Sequence, residues 1–159
     1  MKTLLAGLAA AACVAAPACA KPKDADEAAI LAVIQGFFHG LGSQNGTAME
    51  TALLPDAMLT AQRVGPDGEV KLSRRPGGVF IDSVEGQSGL DEKMWDPVVM
   101  RRGPIAVVWA PYEFQLQGKT THCGIDVFDM VKVEGTWKIA HLMWTQEPDA
   151  CGELKGKRR

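Results

Sequence analysis

The chain has 159 residues, of which 47% are apolar, and this is enough for one globular domain with a single core. Its 17 basic and 19 acidic side chains give a net charge of −2. Four basic residues, Lys155, Lys157, Arg158 and Arg159, lie together at the C-terminus, and we interpret them as a solvated tail. Because nucleic-acid binding needs a clustered basic face, the composition excludes nucleic acid as a partner.

The first 20 residues have the pattern of a secretory signal peptide. Lys2 provides the positive start, residues 4–16 are small and apolar, and Ala18-Cys19-Ala20 matches a signal-peptidase site. The apolar stretch is shorter than the ~20 residues that span a bilayer, so we expect no membrane span and export to the periplasm or beyond. Lipidation of Cys19 is the alternative, which Pro17 disfavours.

Residues 21–24 form a short lead-in, and the sequence after it predicts two helices. Apolar side chains recur at spacings of three and four over residues 30–41, and Asp24 or Asp26 can cap the helix that they define. A second, shorter helix is expected over residues 47–54, directly before a proline.

Extended segments follow the two helices. Residues 57–64 and 69–74 flank a Gly-Pro-Asp-Gly turn and predict a hairpin. Residues 79–84 are expected to form a third short helix, and residues 90–99 a strand or an extended segment. Tight turns join three long antiparallel strands, which are predicted over residues 104–117, 119–133 and 136–145.

Simple pairing across the tight turns gives a register in which Leu116 lies opposite Lys119 and Val133 opposite Thr136. One face is then almost wholly apolar and should cover the helices. This face holds Val108, Ala110, Tyr112, Phe114, Ile125, Val127, Val131, Val133, Ala140, Leu142 and Trp144. The other face is mixed and predicts a self-association surface. A proline opposite a glycine, Pro111 and Gly124, predicts a bulge or bend.

The order of helices, hairpin and long three-stranded meander resembles the nuclear transport factor 2-like superfamily of α+β domains. Residues 106–114 (Ala-Val-Val-Trp-Ala-Pro-Tyr-Glu-Phe), 122–128 (His-Cys-Gly-Ile-Asp-Val-Phe) and 135–139 (Gly-Thr-Trp-Lys-Ile) are similar to bacterial proteins grouped as nuclear transport factor 2 family or "putative lumazine-binding". The resemblance covers residues 25–147 and leaves residues 148–159 as a tail. It implies a cone-shaped, curved antiparallel sheet wrapped over N-terminal helices. Since the superfamily includes enzymes, binding subunits and transport factors, the resemblance selects no activity.

Comparison with the ketosteroid isomerases of this superfamily gives one candidate acid. Asp129 matches the isomerase aspartate that is a protonated hydrogen-bond donor, and the predicted register buries it between Val127 and Val131. The isomerase general base would fall near Ala61 and the helix-one tyrosine near Phe37, and neither residue can do that chemistry. Isomerase activity is therefore disfavoured, and Asp129 is either a pocket acid or a rim aspartate paired with solvent or a lysine.

Other side chains give weaker candidates for a site. His122 is a candidate acid or base at the cavity mouth, beside Glu113 or Tyr112, with a structural histidine as the alternative. Asp126 and His141 are diagonal neighbours in the predicted register, but no nucleophile is evident beside them. A pocket for a small hydrophobic or amphipathic ligand is expected to be lined by Phe38, Tyr112, Val127, Leu142 and Trp144.

Two cysteines, Cys123 and Cys151, remain after the expected signal peptide. An oxidising compartment favours a disulfide between them over two free thiols, and the register places Cys123 beside Gln146, near the chain that turns back at Pro148. Three scattered histidines have no metal-ligand spacing, and no phosphate loop or dinucleotide motif occurs. No metal or cofactor is therefore expected.

These observations leave two functions open. The first is an exported, noncatalytic small-molecule-binding domain that forms a homodimer through the outer sheet face, which the missing isomerase groups favour. The second is a cofactor-independent lyase, isomerase or hydrolase that uses Asp129 with His122. A structural dimer without a ligand is a third reading, and it would have a cone filled by side chains.

Overall fold

The structure, a computed structural model, describes residues 24–156. The expected signal peptide, lead-in residues 21–23 and basic residues 157–159 lie outside the described residues. The elements in chain order are α1 (Ala25–Ser43), α2 (Gly46–Ala52), β1 (Leu53–Val64), β2 (Val70–Pro76), α3 (Gly77–Val84), β3 (Leu90–Met94), β4 (Val98–Arg102), β5 (Ile105–Leu116), β6 (Lys119–Val133), β7 (Thr136–Gln146) and α4 (Cys151–Gly156).

The N-terminal helices begin at side-chain caps. Asp24, one of the two predicted caps, accepts a hydrogen bond from the backbone N–H of Glu27 at 2.8 Å and starts α1. Asn45 accepts from the N–H of Ala48 at 3.0 Å and starts α2. The two helices cross closely at Gly40, where a Cβ would meet the side chain and backbone N of Met49. This close crossing packs the two helices against each other.

The strands form one curled sheet in the order β2-β1-β7-β6-β5-β3, and β4 also pairs with β5. The sheet is mixed, not wholly antiparallel as expected, because β1 runs parallel to β7. The segment expected over residues 90–99 forms two short strands, β3 and β4, which both pair with β5. The long meander is confirmed; β2 forms one edge of the sheet, and β3 and β4 together form the other.

Two bulges change the predicted register of the meander. Leu116 pairs with Lys119 and Val133 with Thr136, as predicted. Beyond these turns, however, Phe114 pairs with His122 while Gln115 pairs with Thr120, so Thr121 is an extra residue in β6. A second shift in β7 makes Ala140 extra. An extra residue reverses the faces of every following side chain, because side chains alternate along a strand.

The two bulges make the predicted face assignment wrong for β6 and for part of β7. The β5 side chains Val108, Ala110 and Tyr112 are buried, as predicted. In β6 the prediction is wrong: Asp126, Phe128 and Met130 are buried, whereas Val127, Asp129 and Val131 face outward. In β7, Trp137 and Ile139 are buried, and the extra Ala140 brings Leu142 and Trp144 back to the inner side. The bulge lies at Thr121, not at the predicted Pro111–Gly124 pair, and Gly124 faces Tyr112.

The C-terminal residues form an anchored helix where we expected a solvated tail. The disulfide between Cys123 and Cys151 is confirmed, and it ties α4 to β6. Lys155 Nζ donates to Glu113 Oε1 at 2.7 Å, so this lysine is paired and not simply solvated. Glu147 also bridges to Cys123 through its backbone. The chain after β7 is thereby fixed across the sheet. None of the helices within residues 24–156 has the length and apolarity needed to cross a membrane.

Candidate functional site

A cavity of about 370 Å³ lies between the inner face of the curled sheet, the end of α1 and helix α3. Its size is in the range of small-molecule sites. Both edges of the sheet contribute to it, since β2 provides Ser73 and Arg75 and β3 provides Glu92. The other lining residues are Leu41, Ala61, Phe80, Ser83, Val84, Gln87, Tyr112, Phe114, His122, Trp144 and Gln146.

Aromatic rings form the apolar wall of this cavity. Trp144 meets Phe80 edge to face at a centroid distance of 5.9 Å. His122 stacks on Phe114 at 5.1 Å and meets the edge of Tyr112 at 5.7 Å. Such rings offer flat surfaces to a planar ligand at a small cost in side-chain entropy. The small side chain of Ala61 lines the same cavity.

Glu92, a carboxyl group of the cavity wall, lies beside a second carboxyl group, Asp126, in the buried interior. Asp126 is 1% exposed, and no N–H or hydroxyl group of the described residues donates a hydrogen bond to its Oδ2 atom. Glu92, from β3, lines the cavity and lies within hydrogen-bonding reach of Asp126 once one of the two carboxyl groups is protonated. A hydrogen bond between two carboxyl groups requires a proton on one of them, so the pair shares a proton.

Burial controls the ionisation of this pair. Burial raises the pKa of Glu92 to about 7 and raises the pKa of Asp126 well above its usual range, and the negative charge of Glu92 raises that of Asp126 further. The two carboxyl groups therefore titrate as a pair, and burial keeps one of them protonated at neutral pH. The Glu92 carboxyl can therefore accept hydrogen bonds from a ligand or exchange a proton with it near neutral pH.

Tyr112 packs beside the two acids and fixes the geometry of β5, β6 and β7. Its hydroxyl donates to the backbone oxygen of Thr145 at 2.7 Å. Burial raises the pKa of Tyr112, and the negative charges of Glu92 and Asp126 add to this effect. The approach of Thr145 depends on Gly124, because a Cβ at that position would overlap the Thr145 carbonyl. Tyr112 is therefore a neutral, structurally fixed part of the wall.

His122 lies at the mouth of the cavity. Burial lowers its pKa to about 4, and the nearby positive charge of Arg63 adds to the effect. Its Nδ1 atom is 2.8 Å from the hydroxyl of Thr121. The imidazole is therefore uncharged at neutral pH and is available for hydrogen bonding and stacking. A second space of about 320 Å³, lined by His122, Arg63 and Pro148 among others, continues outward from this point.

Arg75 is the cationic group of the cavity. Its Nη1 donates to the hydroxyl of Ser83 and its Nη2 to that of Ser73, both at 3.2 Å. No carboxylate pairs with Arg75 among residues 24–156. The cavity thus has a positive group on one sheet edge and the acidic Glu92 on the opposite edge.

Asp129 lies on the outer face, where its side chain is 52% exposed and contacts His141 Nδ1 at 3.4 Å. The expected burial of Asp129 is wrong, because the Thr121 bulge reverses β6. The structure therefore does not bring Asp129 and His122 together. The expected Asp126–His141 contact is also wrong, since Asp126 is inside and His141 Nε2 lies 3.0 Å from Thr60 Oγ1 on the other face.

The expected ligand-binding residues divide into three groups. Tyr112 and Trp144 line the cavity. Phe38 and Leu142 are buried in the core, where Phe38 packs against Phe128 at 5.9 Å. Val127 faces outward, so its predicted place in the pocket is wrong.

Sequence reasoning missed Glu92 and Arg75. The alternation of Leu90, Glu92 and Met94 on one side of a short strand is the signal that could have found Glu92. Nothing in the sequence marks Arg75 over its neighbour Arg74, because both belong to a polar edge strand. No group of three potential metal ligands occurs in the part of the chain that the structure describes.

Comparison with known families identifies one family model, "Putative lumazine-binding", which matches residues 25–145. A search of curated proteins finds no match.

Several solved structures are similar in fold. A nuclear transport factor 2-like protein of unknown function from Shewanella baltica is 21% identical, with a TM-score of 0.57, 78% of this chain and 95% of that chain being covered. A "putative calcium/calmodulin dependent protein kinase II association domain" from Xanthomonas campestris is 21% identical, with a TM-score of 0.62 and coverages of 82% and 94%. A "putative ketosteroid isomerase" from Shewanella frigidimarina is 20% identical, with a TM-score of 0.53 and coverages of 73% and 94%. Identities this low support the fold alone.

Proposed function

Because the chain belongs to the "Putative lumazine-binding" family of the nuclear transport factor 2-like superfamily, we propose that it is an exported domain that binds a small aromatic ligand in the cavity between its sheet edges. The observation that carries the proposal is the combination of aromatic rings with Glu92, the partner of the buried Asp126, in one cavity of about 370 Å³. A planar ligand can stack on Trp144 and donate an N–H to Glu92. The name of the family suggests lumazine, a planar heterocycle with N–H groups, as the first probe.

Isothermal titration with lumazine and with N-phenyl-1-naphthylamine, a neutral aromatic probe, tests this proposal. We expect saturable binding of at least one probe, with one site per chain. Ala61→Leu, which fills the cavity, should weaken that binding about tenfold or more, because the ligand and the added side chain compete for space. Val127→Leu on the outer face is the matched control and should leave the affinity unchanged. Equal effects of the two variants, or no binding of either probe, would overturn the proposal.

A proton-transfer enzyme is the second candidate function. The observation that favours it is the raised pKa of Glu92, about 7, beside the buried Asp126. In this reading Glu92 and Asp126 replace Asp129 and His122 as the acid and base of a cofactor-independent lyase, isomerase or hydrolase. Glu92→Gln separates the two functions. An enzyme would lose turnover while its affinity for substrate stays within about threefold, whereas a binding protein has no turnover to lose.

Homodimer formation through the outer sheet face is a further part of the proposal. That face exposes several large apolar side chains, including Ile105, Trp109 and Met143, which supports a covered surface. Light scattering with size-exclusion chromatography should give twice the chain mass. Trp109→Glu should give the monomer mass, because a charge at the interface would be buried without a partner. A monomeric wild-type chain would contradict this part.

Export is supported by the disulfide between Cys123 and Cys151, since disulfides persist in oxidising compartments. Fractionation of cells that produce the full chain should recover it outside the cytoplasm, shorter by the expected signal peptide. Recovery of the full-length chain from the cytoplasm would contradict export.

A further inference from the structure

Arg75 is built into the cavity wall as a cation without an anionic partner. It lies on β2 opposite Leu59, a fully buried core residue, so its side chain emerges on the inner face of the sheet. Arg75 is only partly exposed, and its guanidinium group touches the two serine hydroxyls and no carboxylate of residues 24–156. A partly buried charge is most stable when an opposite charge offsets its lost hydration.

The two serines orient the guanidinium group and leave most of its donors free. Ser83 uses its own proton in a 2.6 Å hydrogen bond to the Phe80 carbonyl, so its oxygen accepts from Arg75 Nη1. Ser73 Oγ accepts from Nη2. A guanidinium group has five N–H donors in a plane, and these two contacts occupy two of them. The remaining donors suit the two oxygens of a carboxylate, sulfonate or phosphate.

The opposite wall of the cavity has the reverse charge preference. Glu92 comes from β3, the other edge of the sheet, and shares a proton with Asp126. An anionic ligand group placed against Glu92 would be repelled as Glu92 ionises, whereas the same group beside Arg75 would be attracted. Trp144, on β7, lies between these two edges in the strand order, and its ring meets that of Phe80. A bound ligand therefore has one favourable orientation.

We propose that Arg75, held by Ser73 and Ser83, is an anion subsite, and that the cavity selects planar aromatic ligands that carry an acidic substituent. This inference rests on the proposed ligand-binding function and narrows its ligand class. The acidic group lies against Arg75, the aromatic rings stack on Trp144 and Phe80, and any N–H donors point toward Glu92.

Arg74 provides the matched control for this assignment. It is the next residue on β2, it is exposed, and it lies opposite Thr60 on the other side of the strand. Arg74→Gln and Arg75→Gln change the net charge of the protein equally. Only Arg75→Gln removes the cation from the cavity. Arg63, exposed at the outer space near His122, gives a second comparison through Arg63→Gln.

Two probes that differ by one charged group provide the test. N-phenyl-1-naphthylamine is neutral, and 8-anilinonaphthalene-1-sulfonate is the same ring system with a sulfonate. Isothermal titration of the full mature chain should show that the sulfonate binds at least about tenfold more tightly than the neutral probe. Arg75→Gln should reduce this preference to less than about twofold while leaving the neutral probe unaffected, and Arg74→Gln and Arg63→Gln should preserve it.

Three results would overturn the subsite. These are equal affinity of the wild-type protein for both probes, loss of the preference in Arg74→Gln or Arg63→Gln, and an equal effect of Arg75→Gln on both probes. The failure of the wider proposal looks different. If neither these probes nor lumazine binds the wild-type chain, the cavity is not a ligand site. Tight binding of the neutral probe alone keeps the cavity and rejects the anion subsite.

Discussion

The Glu92→Gln variant tests whether Glu92 and Asp126 share a proton in the folded chain. Burial raises the pKa of Glu92 from 4.5 to about 7, so the folded chain binds more protons than the unfolded chain within this window. As the pH rises through this window, the unfolded chain releases its proton first and is stabilised. The free energy of unfolding must therefore fall. One pKa unit corresponds to about 1.4 kcal/mol, so the total fall is about 3 kcal/mol and is nearly complete just above the pKa of the folded state.

Glutamine has nearly the same volume as glutamate and does not titrate. The free energy of unfolding of Glu92→Gln, relative to the wild type, should therefore rise by about 3 kcal/mol between about pH 4.5 and pH 8. Urea denaturation followed by tryptophan fluorescence at several pH values measures this difference. Glu85→Gln, at an exposed residue after α3, removes one charge and should give a nearly constant difference. A Glu92→Gln difference that varies by less than about 1 kcal/mol would refute the shared proton.

Three further predictions concern the cavity wall and the contacts that hold it in place. Because burial lowers the pKa of His122 to about 4, His122→Gln should gain stability over the wild type as the pH falls from 6.5 to about 4, and a constant difference in urea denaturation would contradict its burial. Gly124→Ala should destabilise the fold by about 1–3 kcal/mol and disturb the Tyr112 contact, since its Cβ would overlap the Thr145 carbonyl, and a neutral effect on the melting temperature would contradict that close approach. Cys151→Ser should cost roughly 3–4 kcal/mol by opening the loop to Cys123, and full stability after the change would show that the disulfide does not constrain the unfolded chain.

Local sequence signals predicted the elements well. Asp24 is a helix cap because its side chain can satisfy the N–H of Glu27, and this depends only on neighbouring residues. The tight turns after Leu116 and Val133 have the predicted pairs, since turn geometry fixes the register beside a turn. The disulfide was predictable for a similar reason, because Cys123 pairs with Glu147, one residue from the predicted partner.

The side chains of the site could not be predicted in the same way. A bulge at Thr121 or Ala140 needs no special residue, and each extra residue exchanges the two faces of a strand. Asp129 was therefore expected inside and Asp126 outside, although the structure has the reverse. The meeting of Arg75 and Glu92 in one cavity depends on how far the whole sheet curls, which brings its two edges around a common space.

Nuclear magnetic resonance of the tryptophan indole N–H groups tests most directly whether the inner cavity holds the ligand. Trp144 lines the cavity, Trp109 lies on the exposed outer face, and Trp137 is buried with its indole N–H donating to Asp26 Oδ1 at 3.0 Å. These three signals, and the fourth from Trp95, can be assigned with single Trp→Phe variants. On titration with 8-anilinonaphthalene-1-sulfonate, the Trp144 signal should shift in a saturable way while those of Trp109 and Trp137 stay in place. A shift of Trp109 without a shift of Trp144 would contradict the account, because it would put the ligand on the outer face of the sheet.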